Sequence, residues 1–143
     1  MKQTYVKDWM TRDLITVTSD TTLAEAHRLM SGKQVRRLPV VENNRLIGIV
    51  TRGDMREADP SRATSLSSWE LNELFSTIKI GEIMTVKPKT ISQDATIGEA
   101  AEIMLESKIS GLPVVDGQGK LVGIITESDI FRVVVQGWRQ ADS

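Results

Sequence analysis

The sequence predicts a mixed α/β (α+β) fold of two β-α-β-β-α units in tandem, joined by a short helix. The main evidence is a repeated phrase: LPVVENNRLIGIVTRGDM at residues 38–55 returns as LPVVDGQGKLVGIITESDI at residues 112–130. When residues 6–55 are aligned with residues 80–130, 17 of the 50 positions in the first copy are identical. The copies are much farther apart than the roughly 20–50 residues of a solenoid repeat, so the pattern predicts two small domains.

Each copy contains the signals of five elements. Two Val- and Ile-rich runs separated by an Asn- or Gly-containing turn predict a β-hairpin. Ahead of the hairpins, Thr22 and Thr96 each precede a Glu by three positions, which predicts a helix with an N-terminal capping box. After each hairpin, Thr-x-x-Asp opens another helix. The predicted first strands cover residues 15–17 and 89–91, and the hairpin strands cover residues 37–41, 46–51, 111–115 and 121–126.

The helix before each hairpin has apolar residues at helical spacing, which predicts one buried face. His27 aligns with Ala101 and is therefore predicted to lie on this inward stripe, packed or hydrogen-bonded at the edge of the core. A single histidine in a chain without cysteine is not expected to bind a metal ion. The predicted stripes are Leu23, Ala26 and Met30 in the first copy, and Ile97, Ala100, Ala101, Met104 and Leu105 in the second.

These elements divide the chain into a first unit at residues 1–60, a linker with the joining helix at residues 61–79, and a second unit with a C-terminal helix at residues 80–143. Each unit begins with one predicted helical turn. The last helix of the first unit is expected to end before Pro60, and a Ser67-x-x-Glu70 pattern starts the joining helix. The C-terminal helix is rich in apolar residues, which fits either a partner surface or intramolecular packing. These residues are Ile130, Phe131, Val133, Val134, Val135 and Trp138.

The bulk composition is that of a soluble globular protein, with 40% hydrophobic and 26% charged residues. A net charge of −1 argues against a general nucleic-acid binder, although a local basic patch is compatible with it. The lack of cysteine excludes disulfides and thiolate metal sites. There is no signal-type apolar core and no apolar run near the roughly 20 residues of a membrane helix, so we expect a cytoplasmic protein.

The ordered motifs resemble those of a tandem pair of CBS domains, also called a Bateman module. GIVTRGD at residues 48–54 and GIITESD at residues 123–129 carry the resemblance, together with the two LPVV strands. It implies two units related by a pseudo-two-fold axis, with two clefts between them that take adenine nucleotides or related adenosyl ligands. It also implies a sensor that regulates an enzyme, channel or transporter and does not itself catalyse a reaction.

The resemblance gives the Asp of each Thr-x-x-Asp motif a specific role. In nucleotide-binding members of the family, this Asp accepts both hydroxyls of a ribose, and the matching residues in this sequence are Asp54 and Asp129. Thr51 and Thr126 can cap the helices beside them, and a helix N-terminus also favours an anion such as phosphate. The alternative is that Thr and Asp form only a capping box, which needs no ligand.

The resemblance also places the adenine against the first strand and the start of the second strand. Apolar walls with a few backbone hydrogen-bonding groups suit a planar purine, but the same residues also serve as core, Val17 and Ile91 above all. The predicted ligand-binding residues of the first copy are Ile15, Thr16, Val17, Arg36, Arg37, Leu38, Pro39, Thr51, Arg52 and Asp54. Those of the second copy are Lys89, Thr90, Ile91, Gly111, Leu112, Pro113, Thr126, Ser128 and Asp129.

The two copies differ in charge, so their clefts are not expected to be equivalent. Residues 6–55 contain eight Lys or Arg and six Asp or Glu, whereas residues 80–130 contain four and eight. By the resemblance, Arg37, with Arg36, is predicted to serve a phosphate whose ribose is held by Asp129. Arg52 is predicted to assist at the Asp54 cleft, where the second copy has Glu127. The alternative is that these arginines are solvated surface charges.

The sequence therefore predicts a non-enzymatic, homodimeric CBS pair that binds an adenine-containing ligand and signals occupancy to a partner by population shift. No cofactor or metal is predicted, and the ligands left open are AMP, ADP, ATP, S-adenosylmethionine, NAD-type molecules and cyclic dinucleotides. A ligand-free dimerisation or scaffold module is the alternative. An enzyme is disfavoured because the chain has no Cys nucleophile and no phosphate-binding glycine loop. A DNA-binding regulator is disfavoured because the repeats leave no helix-turn-helix.

Overall fold

The computed structural model describes residues 4–62 and 65–141. These residues form a mixed α+β fold with six α-helices and two three-stranded sheets. The helices are α1 (Leu23–Lys33), α2 (Arg52–Ala58), α3 (Ser68–Thr77), α4 (Ile80–Ile83), α5 (Ile97–Ser107) and α6 (Glu127–Ala141). The strands are β1 (Arg37–Glu42), β2 (Arg45–Thr51), β3 (Thr85–Val86), β4 (Ile91–Ser92), β5 (Gly111–Val115) and β6 (Leu121–Thr126). Short 3-10 helices occupy Val6–Asp8 and Pro60–Arg62.

The predicted helix starts are confirmed by their caps. The Thr22 hydroxyl accepts a hydrogen bond from the Glu25 N–H at 3.2 Å, and Thr96 caps α5 in the same way. Among the described residues neither Glu25 nor Glu99 returns a side-chain hydrogen bond to its cap N–H, so only half of each predicted capping box forms. The Ser67 hydroxyl accepts from the Glu70 N–H at 3.2 Å, so the predicted joining helix is α3. Since α2 ends at Ala58, its predicted end before proline is also correct.

Each repeat contributes a β-hairpin at the predicted place. β1 pairs antiparallel with β2, with Leu38 opposite Val50, and β5 pairs in the same way with β6. Asn43 and Asn44 form the turn of the first hairpin, with φ angles of 50° and 64° in the left-handed region. Two such residues suit a type I′ turn, whose twist matches that of the flanking strands.

The predicted first strands are shorter than expected. In the second repeat β4 runs parallel to β5, but residues 15–17 make only one parallel bridge, between Val17 and Val40. The Val17 N–H donates to the Pro39 carbonyl at 3.0 Å, and the Val41 N–H donates to the Val17 carbonyl at 2.9 Å. The third strand of this sheet is instead β3, which pairs antiparallel with β2. Two exposed residues give no periodic pattern, so the sequence did not predict β3.

The compact units of the fold have different boundaries from the sequence repeats. Residues 15–88 form one unit, called the central unit below. The other unit, called the split unit below, consists of residues 4–14 and 89–141 of the described part of the chain. We call the residues ahead of the first predicted strand of each repeat, 4–14 and 80–88, its lead. The lead of each repeat is therefore part of the unit that contains the hairpin of the other repeat.

Backbone hydrogen bonds explain this exchange of leads. Within the split unit, the Val6 N–H donates to the Ala95 carbonyl at 2.9 Å. Within the central unit, the Ile80 N–H donates to the Thr21 carbonyl at 2.7 Å. Val6 and Ile80 are both fully buried, so each lead contributes an anchor to the core of its unit.

Each unit has its own apolar core. The central core comprises Val17, Leu23, Ala26, Met30, Leu38, Val40, Val50, Met55 and Ile80. The split core comprises Val6, Met10, Ile91, Ile97, Ala100, Met104, Leu112, Val114 and Ile125. The main residues of the two predicted helix stripes are therefore in the cores.

Two residues predicted for these stripes lie at the surface. His27 is exposed and Leu105 is 80% exposed, so both placements were wrong. The buried positions of α1 and α5 repeat at i, i+3 and i+7. His27 at i+4 and Leu105 at i+8 lie just outside this narrow buried face. The buried face predicted from the apolar pattern was therefore wider than the real one.

Candidate functional site

The Thr-x-x-Asp motif of the first repeat forms the start of α2 in the central unit. Thr51 Oγ1 accepts a hydrogen bond from the Asp54 N–H at 3.1 Å, and Asp54 Oδ2 accepts one from the Thr51 N–H at 2.9 Å. This reciprocal pair is a capping box. The Asp54 residue remains half-buried, and its Oδ1 has no hydrogen-bond partner among the described residues.

The motif of the second repeat starts α6 in the split unit with a different arrangement. Asp129 Oδ2 accepts hydrogen bonds from the Thr126 N–H at 2.9 Å and from the Thr126 hydroxyl at 3.2 Å. Asp129 Oδ1 forms an ion pair with the Arg132 guanidinium. The Asp129 side chain is only 4% exposed, so this carboxylate is buried and engaged at both oxygens.

In the central unit, a backbone hydrogen bond attaches the start of α2 to the residue ahead of β1. The Arg52 N–H donates to the Arg36 carbonyl at 2.8 Å. Arg37 lies opposite Thr51 in the register of β1 and β2. The fold thus brings the predicted basic residues before the LPVV strand next to the Thr-x-x-Asp motif of the same repeat.

The split unit repeats this arrangement without the arginines. The Glu127 N–H donates to the Ser110 carbonyl at 3.0 Å, and Gly111 lies opposite Thr126. Ser128 is exposed in the first turn of α6. The second motif therefore has a hydroxyl and a glycine where the first has two guanidinium groups.

The residues predicted to contact the base divide between core and surface. The side chains of Val17 and Ile91 belong to the two cores, each 6% exposed. Leu38, Pro39, Leu112 and Pro113 are fully buried, Ile15 is half-buried, and Thr16, Lys89 and Thr90 are exposed. A ligand at either motif would therefore meet the exposed side chains and the strand backbone before it met the apolar residues.

The helical side of the central unit contains a cavity of about 310 Å³. Arg52 and Arg56 line it from α2, and His27 lines it from α1. None of these three side chains has a hydrogen-bond or ion-pair partner among the described residues. Unpaired basic groups around one concave surface favour an anion. The remaining lining residues are Met30, Ser31, Met55, Asp59 and Phe75.

The contribution of Arg56 to this cavity was not predicted from the sequence. The available signal is its spacing from Arg52, because residues at i and i+4 lie on the same face of a helix. The basic cluster belongs to the first repeat alone. The residues that align with His27, Arg52 and Arg56 in the second repeat are Ala101, Glu127 and Phe131.

Residues 4–62 and 65–141 contain neither a membrane span nor a cluster of metal ligands. No helix in these ranges is long and apolar enough to cross a membrane. No three His, Cys, Asp or Glu side chains in the same ranges are grouped so that they could hold a metal ion.

Comparison with known families identifies both repeats. The family model of the CBS domain matches residues 6–61 and again residues 80–136. A CBS domain-containing protein of Dictyostelium discoideum is 35% identical over 132 residues, which cover 92% of this chain and 91% of that protein. The similarity therefore extends over both repeats.

Two solved structures with adenosyl ligands are similar to almost the whole chain. Arabidopsis thaliana CBSX2 in complex with AMP is 32% identical with a TM-score of 0.78, and the match covers 93% of this chain and 97% of that one. The CBS domain pair of protein MJ0100, in complex with 5′-methylthioadenosine and S-adenosyl-L-methionine, is 30% identical with a TM-score of 0.79. That match covers 95% of this chain and 99% of the other.

Proposed function

Because the chain belongs to the CBS domain family and carries two such domains in tandem, we propose that it is a regulatory module that binds an adenosyl ligand. The ligand is an adenine nucleotide such as AMP, ADP or ATP, or a related adenosyl compound. Binding stabilises the conformation that fits the ligand better, and a partner protein responds to that shift in population. The proposal includes no chemical step on the ligand.

The observation that carries the proposal is the unfilled side of the Asp54 carboxylate. Asp54 Oδ2 accepts one hydrogen bond, from the Thr51 N–H, whereas Oδ1 accepts none from the described residues. An ionised carboxylate offers about four acceptor positions, so about three remain for a ligand. A ribose presents two adjacent hydroxyl donors, and hydrogen bonds to a charged acceptor are stronger than neutral ones. We therefore assign ribose binding to Asp54.

The basic cavity of the central unit supports a ligand that carries phosphate. Arg52 and Arg56 line this cavity, and neither guanidinium group has a described anionic partner. Asp54 does not line the cavity, so a phosphate bound there has to extend around α2 from a ribose at Asp54. Arginine binds phosphate through paired N–H donors, which gives both charge and geometry. We assign these two residues to the phosphate. The contact of Arg37 with a phosphate beside Asp129 stays a prediction, as do the roles of the other predicted site residues.

The ligands named for the two similar structures support the adenosyl class. CBSX2 was solved with AMP, and the MJ0100 pair with 5′-methylthioadenosine and S-adenosyl-L-methionine. These ligands share an adenosine body with a ribose diol but differ in charge. The diol suits Asp54 in every case, whereas the basic cavity favours the anionic members of the class.

We further propose a cytoplasmic homodimer that contacts a regulated enzyme or transporter. The dimer would form through α6, where Phe131, Val134, Val135 and Trp138 follow the spacing of one helix face and are between 40% and 69% exposed. An exposed apolar stripe of this kind favours association, and a second copy offers the same stripe across a two-fold axis.

A ligand-free dimerisation or scaffold module is the second candidate function. It is favoured by the structural use that both motifs already have. Thr51 and Asp54 form a capping box, and Asp129 makes buried hydrogen bonds. These structural roles alone require the residues of both motifs, even if no ligand binds.

A thermal-shift comparison separates the two candidates. AMP, ATP or S-adenosylmethionine at a hundred times its dissociation constant should stabilise the wild type by about 2.7 kcal/mol. Asp54→Asn keeps the side-chain shape but removes the charge, so it should reduce the response strongly. A response to S-adenosylmethionine alone would keep the sensor and contradict the phosphate roles of Arg52 and Arg56. The absence of any response would favour the scaffold.

A further inference from the structure

The two Thr-x-x-Asp motifs differ in the residue that lies three positions after the Asp. Arg132 lies three residues after Asp129 on α6, and its guanidinium pairs with Asp129 Oδ1. The residue of the first repeat that aligns with Arg132 is Glu57, three positions after Asp54. Glu57 is exposed and, being acidic, cannot form an ion pair with a carboxylate. One motif therefore has its own cation bound to the carboxylate, and the other does not.

This pairing changes how many hydrogen bonds each carboxylate can still accept. Of about four acceptor positions on a carboxylate, Asp129 has used about three: two at Oδ2 for Thr126 and one at Oδ1 for Arg132. Asp54 has used about one of the same four. A ribose diol needs two positions. Asp54 can accept both hydroxyls without losing a bond, whereas Asp129 cannot.

We infer that Arg132 is a specificity-determining residue that occupies the Asp129 carboxylate in place of a ligand, so that the Asp54 site fills first and the Asp129 site fills only when Arg132 leaves. This inference rests on the proposed adenosyl function. It assigns different affinities to two motifs that share the same four-residue pattern.

The exposures of the two partners make this contact reversible. The Arg132 side chain is 65% exposed, whereas the Asp129 side chain is 4% exposed. The guanidinium can therefore return to water with most of its hydration already in place, but the carboxylate cannot. The ribose hydroxyls would replace the hydrogen bond that Asp129 loses. The Thr126 hydroxyl is the other removable donor, but it is neutral and its bond is long at 3.2 Å.

The test is an isothermal titration of AMP into the full chain, with the Asp129 site isolated by Asp54→Ala. In this background we expect Arg132→Gln to tighten AMP binding about tenfold, the lower end of what one charge-assisted hydrogen bond is worth. The matched control is Arg139→Gln, which removes an exposed arginine of the same helix that has no described ion pair. It should leave the affinity of the Asp54→Ala protein unchanged. If Arg132→Gln does not fold, Arg132→Lys is the alternative variant, because it keeps a cation beside the buried Asp129. It should increase the AMP affinity less than Arg132→Gln.

The outcomes distinguish this inference from the proposed function. If the wild type binds AMP through Asp54 while Arg132→Gln and Arg139→Gln behave alike, the role of Arg132 is wrong and the sensor stands. Weaker binding on loss of Arg132 would also overturn the inference, because it would make the residue a ligand contact. If neither the wild type nor any variant binds AMP or S-adenosylmethionine, both the inference and the proposed function fail.

Discussion

At the scale of single residues, the two copies keep a glycine where the backbone of a neighbouring segment passes closest. A Cβ atom built on Gly48 would lie 2.5 Å from Met84 Sδ and 2.9 Å from the Thr85 carbonyl oxygen. The same atom on Gly123 would lie 2.6 Å from Met10 Sδ and 3.0 Å from the Thr11 carbonyl oxygen. The absence of a side chain at Gly48 therefore lets the lead of the second repeat pack against β2. Gly123 does the same for the lead of the first repeat and β6.

We predict that Gly48→Ala destabilises the protein by about 1–3 kcal/mol, the usual effect of overpacking. The methionine side chain can move, but the carbonyl of Thr85 belongs to the β3 ladder and cannot. Urea unfolding followed by circular dichroism measures the effect. Gly137→Ala is the control, because a Cβ there meets no atom within 4 Å and α6 should gain up to about 1 kcal/mol from the better helix former. Equal stabilities for both variants would contradict the close approach.

The site could be predicted at this scale only in part. The sequence identified both Thr-x-x-Asp motifs and their capping role, because that role depends on residues three positions apart. It could not distinguish Asp54 from Asp129, because the difference lies in burial and in the Arg132 side chain. His27 was misplaced for a similar reason: an apolar pattern does not define the width of the buried face.

At the scale of elements, the turn between β5 and β6 depends on one ionised carboxylate. The Lys120 and Gln118 N–H groups both donate to Asp116 Oδ1 at 2.9 Å. These hydrogen bonds, that from Lys120 foremost, lower the pKa of Asp116 below its ordinary value of 3.8. Because the folded pKa is the lower one, the stabilisation is present above the unfolded pKa and is lost as pH falls through the folded pKa.

We therefore predict that Asp116→Ala is less stable than the wild type at pH 7 and that the difference narrows as pH falls below 3.8. Urea unfolding at a series of pH values measures this difference. The control is Asp13→Ala, which removes an exposed carboxylate with no described hydrogen bond. A difference between wild type and Asp116→Ala that stays constant as pH falls well below 3.8 would contradict the prediction, because protonation of this carboxylate has to remove the stabilisation.

The apolar stripe of α6 gives a second prediction for a single element. Phe131→Asp places a charge in the middle of the proposed dimer surface, where Phe131 is 65% exposed. We expect the wild type to be a dimer and this variant a monomer by size-exclusion chromatography with light scattering, because an unpaired charge in an apolar interface is strongly unfavourable. Gln136→Asp adds the same charge at another exposed position of α6 and should remain dimeric. A dimeric Phe131→Asp protein would place the interface elsewhere.

Elements with a clear pattern were predicted well. The hairpin strands begin and end within a residue of their predicted limits, and each capped helix begins at the residue after its predicted cap, because alternating apolar residues, Asn turns and Thr or Ser caps are local signals. The first strands and β3 depend on pairing with distant segments. No local signal could show that residues 15–17 make a single bridge or that residues 85–86 join the sheet of the first hairpin.

At the scale of the whole molecule, the exchange of leads means that a sequence repeat is not a folding unit. Ile80 belongs to the second repeat in sequence but is fully buried in the core of the central unit. Its counterpart Val6 is fully buried in the core of the split unit. The repeat pattern alone cannot reveal this, because both arrangements keep the same aligned residues.

We predict that Ile80→Ala costs about 2–5 kcal/mol and that its effect on amide hydrogen exchange is largest in β1 and β2. These strands belong to the central unit, although Ile80 belongs in sequence to the second repeat. Val6→Ala is the matched variant and should instead affect β5 and β6. Faster exchange in β5 and β6 on loss of Ile80 would contradict the assignment of the lead to the central unit.

Whether Asp54 binds the ribose is measured most simply by the affinities of AMP and of its 2′,3′-dideoxy analogue for the wild type and for Asp54→Asn, by isothermal titration calorimetry. Two hydroxyls that donate to a carboxylate should make AMP bind the wild type at least about tenfold more tightly than the analogue. In Asp54→Asn the two ligands should bind with almost equal affinity. That result would show that the ribose hydroxyls contribute to affinity through their hydrogen bonds to the Asp54 carboxylate. A wild type that binds both ligands with the same affinity, or binds neither, would contradict the claim that Asp54 holds the ribose of an adenosyl ligand.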